Sequence, residues 1–566
     1  MKRFVICSLL FTIGYSLTMA CTNFMAGKQA TTDGSILISY AADSYSLYGF
    51  LRYRPAADHE EGAMRTIEDW DTGKPLGEIP EVKHTYSVVG NMNEHQLAIG
   101  ETTYGGREEL YGETGIDYGS LIYIALERCK TAREAIACMT SLVSEYGYAS
   151  EGESFTIADT EEVWILELIG KGKQEKGAVW VAARIPDDCV SAHANQARIT
   201  QIDFTDKKHQ NWYWADDVVE FARKKGYYSG TDKDFSFSDT YNPLDFSAKY
   251  ACEARVWSFF RQVNKEMEKY YDYVVGKSEE RMPLYIKPDR LLSAQDFKGF
   301  MRDQYEGTPL EITTGEDAGP WQSKLRYGSL GFKLDSVQYW YERPTATQQT
   351  GWSFVAQIRP TEVKGEGVKG KANQKGKKTK SKVEPTERKL TNPNAGGIFW
   401  FGVDDAATNL YVPMYCRITS VPECFREGNG DLYTYSPTSA FWTYNQVANW
   451  AYSKYSAMMP DIKKVQAEWE EYFNGKVAET DSIVSTMTDE ESREYLTHFS
   501  STQATVSTAA WKNLYEYLLV KYLDGQQRKE EDGKFKRNDW GQPVGPYRTP
   551  LPEEWLRKYA PGIIHE

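Results

Sequence analysis

Cys21 is the residue to which chemistry attaches first. It follows Thr18-Met19-Ala20, which offers small residues at the −3 and −1 positions of a cleavage after Ala20. Cleavage there places a thiol and a free α-amine on one residue. A thiol is intrinsically nucleophilic but mostly protonated at neutral pH. An α-amine, with an ordinary pKa of about 7.7–8.0, lies close to working pH and can act as general base. The thiolate would attack an amide carbonyl to form a thioester, the protonated amine would pass its proton to the leaving nitrogen, and water would release the acyl group. No catalytic histidine is needed, and the chain has only seven His.

The residues before Cys21 support such a cleavage. Lys2 and Arg3 are basic, and Phe4 to Leu17 is almost wholly apolar, the layout of a secretory signal peptide over residues 1–20. The apolar run is short for a membrane span, and no later stretch approaches about 18 consecutive apolar residues. The mature chain is therefore expected to carry no integral span and to be exported, periplasmic or extracellular. A competing reading makes Cys21 the acylated residue of a lipoprotein. Against it, Thr18 stands where a lipobox prefers an aliphatic residue, and Leu17 lies one place too far upstream.

Other chemistries lack their residues. There is no HExxH, no CxxC pair suited to zinc, no GxSxG elbow and no P-loop. No metal and no cofactor is expected. A net charge of −14 argues against nucleic acid as a partner. Cys189 and His193 offer a thiol and an imidazole four residues apart, although a nucleophile and its base need not be sequence neighbours. Of the remaining cysteines, Cys129 with Cys138 and Cys416 with Cys424 are close enough in sequence to suggest disulfides in an exported protein.

The elements that must position Cys21 read as mixed. Thr32-Asp33-Gly34-Ser35 is a turn signal, followed by a β-prone run from Ser35 to Tyr40. Strands are expected at His84–Val89, Leu97–Thr103, Phe155–Ile157, Val163–Leu168 and Val179–Arg184. Tyr118 to Leu142 has helical spacing, with Thr131 and Glu134 as a capping box for a second helix. Strands flank helices without strict alternation, which favours an α+β layered fold. Phe399–Val412 reads as strand interrupted at Asp404-Asp405, and Ser439–Tyr455 and Arg493–Leu523 as helices, the last stopped by Gly525. Residues 361–390 form a Lys/Gly-rich, solvated insertion. Its Gly365, Gly367 and Gly370 match GxGxxG spacing only by composition, since no βαβ unit surrounds them.

The neighbours of Cys21 carry a resemblance. Cys21-Thr22-Asn23, Gly27-Lys28, Asp33-Gly34-Ser35 and Asp43-Ser44 resemble the start of the cysteine dipeptidases of the dipeptidase A family. These are N-terminal-nucleophile hydrolases related to penicillin V acylases and bile-salt hydrolases. The likeness continues in order through Met92-Asn93-Glu94, Ile157-Ala158-Asp159, Arg302 to Thr308, Gly396 to Trp400 and Pro413-Met414-Tyr415. It implies an αββα sandwich of two antiparallel sheets between helical layers, spanning 21–566 with a C-terminal extension. It also implies roles. Cys21 matches the nucleophile, Asp43 the carboxylate that orients the amine, Asn195 an oxyanion-hole amide and Arg255 an arginine whose charge favours thiolate. Two departures stand out. Tyr40 replaces an arginine of the related acylases, and the segment matching their second oxyanion donor is Glu101-Thr102-Thr103, where a backbone N–H or a Thr hydroxyl, that of Thr103, is the candidate.

The resemblance implies hydrolysis of dipeptides or short peptides, with Glu101 or Asp43 available to meet the substrate's ammonium. An N-acyl amino acid or bile-salt-like amide is the nearest rival substrate, and a non-catalytic binding lipoprotein is the more distant reading. Homo-oligomer formation is left open.

Overall fold

The turn before the second strand shows how locally the architecture is written. Gly34 takes φ +75°, and Asp33 Oδ1 accepts the Ser35 N–H at 3.1 Å, so the chain reverses between two apolar runs. The computed structural model describes residues 21–326, 331–361, 390–546 and 552–559. The expected signal peptide and nearly all of the 361–390 insertion lie outside the described residues.

We label the principal strands in chain order. The first three are β1 (Thr22–Ala26), β2 (Ile36–Asp43) and β3 (Ala98–Gly105). Then come β4 (Gly152–Ala158), β5 (Val163–Gly170), β6 (Ala178–Ile185) and β7 (Val190–His193). The last are β8 (Thr350–Ile358), β9 (Gly397–Val403) and β10 (Val412–Tyr415). A seven-stranded antiparallel sheet runs from the short strand Tyr285–Ile286 through β7, β1, β2, β8 and β9 to β10. An eight-stranded antiparallel sheet runs from Trp212–Trp214 through β6, β5, β4 and β3 to three short strands ending at Tyr53–Arg54. Every residue of β2, β4 and β5 is buried, as strands covered on both faces must be.

The sheets meet where β3 crosses β1 and β2. Helices α1 (Tyr118–Arg128) and α2 (Ala132–Tyr146) cover the outer face of the eight-stranded sheet. Thr131 and Glu134 form the expected capping box at the start of α2. On the other side lie α3 (Ala254–Val263), α4 (Ala294–Phe300), α5 (Ala440–Tyr452), α6 (Tyr455–Val484) and α7 (Asp489–Lys521). They cover the seven-stranded sheet, α7 against β10 and α5 against β9. The result is the αββα sandwich. The sequence gives no warning of α6. Its buried stripe includes Gln466, Glu470 and Thr480, so the apolar periodicity is broken by polar residues with specific partners.

No described cysteine is in a disulfide. Cys129 and Cys138 lie within thiol hydrogen-bonding reach as two free thiols, and Cys416 and Cys424 are separately buried. Among the described residues no helix is long and apolar enough to cross a membrane.

Candidate active site

Cys21 directly precedes β1, whose register sets Asn23 opposite Tyr40 of β2 and His193 of β7. The other sheet closes over it. Asn23 Nδ2 donates to the Glu101 carbonyl of β3 at 2.6 Å. Gly100 permits that approach, because a Cβ there would fall 2.2 Å from Asn23 Oδ1. A side chain longer than hydrogen at this position would separate the sheets where the nucleophile sits.

The thiol belongs to a buried triangle. Cys21 Sγ lies 3.4 Å from the Tyr40 hydroxyl and 3.6 Å from Glu101 Oε1, and Tyr40 donates to that same carboxylate oxygen at 2.6 Å. Burial pushes the Cys21 thiol well above its ordinary range, and the charges of Glu101 and Asp43 push it further. Hydrogen bonds from Tyr40 and the Asp43 backbone oppose them. Burial likewise lifts the Glu101 carboxyl to about 7, against the hydrogen bonds from Tyr40 and Cys21. Glu153 of β4 is raised well above the carboxylate range, by burial first and then by the charge of Glu101. Glu101 Oε2 and Glu153 Oε2 are both buried acceptors that no donor group reaches, yet the two carboxyls interact with each other. Both carboxyls therefore favour the protonated form, since two adjacent buried carboxyls cannot both ionise cheaply. The resting thiol is thus protonated beside a carboxyl poised near neutrality.

Arg255, at the start of α3, is almost wholly buried. Its guanidinium donates to the Cys21 carbonyl at 2.7 Å, the Thr22 hydroxyl at 2.9 Å, the Ala194 carbonyl at 3.3 Å and Asn195 Oδ1 at 3.0 Å. The charge therefore rests on main-chain oxygen rather than on sulfur. This differs from the expected thiolate-stabilising contact, and it makes Arg255 a clamp on the nucleophile's backbone. Asn195, oriented by that clamp, takes a left-handed φ of +57° and donates from Nδ2 to the Thr103 carbonyl at 2.6 Å. Thr103 turns its hydroxyl to Glu153 Oε1 at 2.5 Å, so the hydroxyl serves the carboxyl pair and does not face Cys21.

Asp43, at the end of β2, accepts from the Thr350 hydroxyl at 2.6 Å and from Arg343 at 3.1 Å. Burial raises its pKa while Arg343 lowers it. With both oxygens engaged, it is less suited than Glu101 to meet a substrate ammonium. The five residues expected from sequence are thus gathered at one end of β1. Glu153, Arg343 and Thr350 join them without a sequence expectation, and Tyr40, marked in the sequence only as replacing an arginine, bonds the thiol and Glu101. A signal existed for Glu153 and Glu101, since each is a carboxylate inside an otherwise apolar or small-residue strand.

The Cys189–His193 alternative does not assemble. His193 bridges the sheets, with Nδ1 at 2.7 Å from Thr102 Oγ1 and Nε2 at 2.7 Å from Thr156 Oγ1. Burial pushes its pKa down to about 3, leaving a neutral imidazole with both nitrogens occupied. Cys189 instead faces Asp188 Oδ1 at 3.4 Å, and burial lifts its thiol to about 12.

The chain is 24% identical over 514 residues to a probable dipeptidase of Latilactobacillus sakei, covering 85% of this chain and 92% of the relative. It is 26% identical over 375 residues to a probable dipeptidase of Salmonella dublin, covering 62% and 76%. A probable dipeptidase B of Streptococcus pyogenes serotype M1 is 24% identical over 452 residues, covering 76% and 78%. The model of peptidase family C69 matches residues 55–369 and 377–468, which takes in the strands that carry Glu101 and Glu153 and the segment of Asn195 and Arg255, and begins after β1 and β2. Agreement over that much of the chain makes this protein a member of peptidase family C69.

Proposed function

We propose that the protein is an exported cysteine dipeptidase that uses Cys21 as an N-terminal nucleophile. The observation that carries the reading is the buried thiol between Tyr40 and Glu101, with its own carbonyl clamped by Arg255. Relatives named as dipeptidases over most of the chain support the substrate class. Removal of residues 1–20 would free the Cys21 amine, which takes the thiol proton as sulfur attacks the peptide carbonyl. Asn195, whose Oδ1 accepts from Arg255, would turn its amide N–H to the developing oxyanion. The amine then protonates the leaving nitrogen, and water cleaves the thioester.

The field around the thiol bears on the substrate. Tyr118 donates to Asp71 at 3.0 Å, and its phenol feels the charges of Glu101, Asp71 and Glu153. A free peptide ammonium is favoured there over an N-acyl group, because it would offset buried negative charge. The rival acylase reading would need an apolar acyl pocket, and the cavity walled by Trp352, Phe399 and Phe401 holds about 20 Å³, room for a water.

Intact mass and N-terminal sequencing of the exported protein, followed by dipeptide hydrolysis with Cys21→Ala as control, tests the proposal. A free Cys21 at residue one and loss of turnover in the variant are expected. An acylated Cys21 would remove the base and sink it. Faster cleavage of N-acyl amides than of dipeptides would transfer the chemistry to the acylase reading.

A further inference from the structure

The motif from Arg302 to Thr308 contributes no side chain to the bonds of Cys21, yet it contains a strained residue. It turns the chain after α4, and Tyr305 at its centre takes a left-handed φ of +63°. That conformation is costly for a bulky side chain and persists only where the surrounding bonds over-determine it. Here they do. Asp303 Oδ1 accepts the Tyr305 N–H at 3.3 Å, and the Tyr305 carbonyl accepts the Thr308 hydroxyl at 2.8 Å. Gln262 of α3, the helix that also carries Arg255, donates to the same Asp303 oxygen at 3.1 Å. Gln304 donates to the Tyr455 hydroxyl of α6 at 2.7 Å. The strained turn is thus anchored to two helices.

The strain aims one group. The Tyr305 side chain is fully buried, and its hydroxyl donates to the Arg343 carbonyl at 2.6 Å. Nearby, the Ala346 N–H donates to the Asp303 carbonyl at 3.0 Å. The turn therefore grips residues 343–346 at two points. That stretch leads to both donors of Asp43. The Arg343 guanidinium donates to Asp43 Oδ2 at 3.1 Å, and the Thr350 hydroxyl to Oδ1 at 2.6 Å. Thr350 is fixed by the β8–β2 register, where it stands opposite Asp43. Arg343 has no such support, because it lies in irregular chain between the strand Val337–Trp340 and β8. Its backbone is placed by the Tyr305 hydroxyl. Asp43 in turn reaches the nucleophile, since its main chain hydrogen-bonds the Cys21 thiol.

We propose that Tyr305 is a positioning residue for catalysis, whose hydroxyl holds the Arg343 main chain so that the Arg343 guanidinium fixes Asp43 where it orients the Cys21 amine. This rests on the peptidase reading, in which that amine is the base. The guanidinium sits on a long flexible stem, so the aim of its fork depends on where its backbone is held. A misplacement of about 1 Å at a group that orients the base slows turnover without any change in substrate contacts.

Tyr305→Phe keeps the ring and the turn and removes only the donor. Ala-Phe hydrolysis by the exported protein should lose about 10-fold in kcat, with KM unchanged because the buried Tyr305 does not meet substrate. In an Asp43→Asn background the same substitution should cost nothing further, since its effect passes through Asp43. An unchanged kcat, or equal losses in the two backgrounds, overturns the inference. Hydrogen exchange gives a readout that needs no turnover. Peptides spanning 343–350 should exchange faster in Tyr305→Phe, while those of β4 and β5 keep their protection. Unchanged exchange across 343–350 also overturns the inference. The two readings fail separately. Faster exchange there, in a protein whose wild-type form hydrolyses no dipeptide, keeps the hold of Tyr305 on the partner of Asp43 and removes the peptidase reading. Dipeptide turnover that Cys21→Ala abolishes and Tyr305→Phe leaves intact does the reverse.

Discussion

Two buried ionisable clusters adjoin the seven-stranded sheet, and they are built on opposite principles. Beyond β9, Lys324 and Asp405 pair at 2.6 Å with both side chains fully buried. Tyr452 donates to the other Asp405 oxygen at 2.6 Å, and the Ala407 N–H donates at 3.0 Å. That cluster is closed, since each charge has an opposite charge and each oxygen a donor. At the head of β1 the balance is different. A thiol, a phenol and two carboxyls share one space, one oxygen of each carboxyl meets no donor among the described residues, and the Arg255 guanidinium is committed to carbonyl and hydroxyl oxygens. Closed clusters hold a fold in one arrangement. Open ones hold groups near the point of ionisation, where a proton can move during catalysis.

The largest expected effects fall on the open cluster. Cys21→Ala should lower dipeptide hydrolysis by ~10⁴-fold or more while the unfolding midpoint stays within a degree or two, about the change expected of a methyl-sized loss. Retained turnover, measured as steady-state kcat/KM, would end the assignment of the nucleophile. Next comes the closed cluster, with the opposite signature. Lys324→Met strands a buried carboxylate and should cost about 3–5 kcal/mol in denaturant unfolding, with kcat unchanged in the folded population. A stable but inactive Lys324→Met protein would erase the distinction between the clusters.

Smaller effects sharpen the comparison. Tyr40→Phe removes one hydroxyl from the triangle and should reduce kcat by about 10-fold, the worth of one hydrogen bond to a charged group. An unchanged kcat would reduce Tyr40 to packing against Trp352 and Phe354. Glu101→Gln keeps an acceptor for Tyr40 but cannot titrate. Because burial raises the Glu101 pKa to about 7 in the folded state, the folded protein holds this proton more tightly than the unfolded chain. Its stabilising contribution is complete below the unfolded carboxyl range near about 4.3 and is lost as pH rises through about 7. Melting curves between pH 5 and 8 should therefore show the Gln variant gaining on the wild type as pH rises. Parallel curves would mean that the Glu101 proton is no tighter in the fold than in the unfolded chain.

Much of this was legible without a structure. The turn at Asp33-Gly34, the run of β2 and the Thr131–Glu134 capping box are signals carried by neighbouring residues, and each element formed where the chain chemistry placed it. The long α6 was not, because Gln466 and Glu470 in its buried stripe are satisfied by the Ala407 and Asn409 carbonyls and by Arg302, partners distant in sequence. The same reason limited the reading of Tyr40. As one residue in an apolar strand it marked only a missing arginine, whereas its partner Glu101 lies 61 residues away on the opposite sheet.

The sequence by itself determined the local elements, the cysteine that follows the apolar N-terminal run, and the order of motifs that marks the family. Only the tertiary structure decided what surrounds that cysteine. It set Arg255 on a carbonyl rather than on sulfur and turned Thr103 toward Glu153. Local elements follow from interactions within a few residues. A buried group's protonation and its partners follow from which strands are stacked upon it, and that is a property of the whole fold.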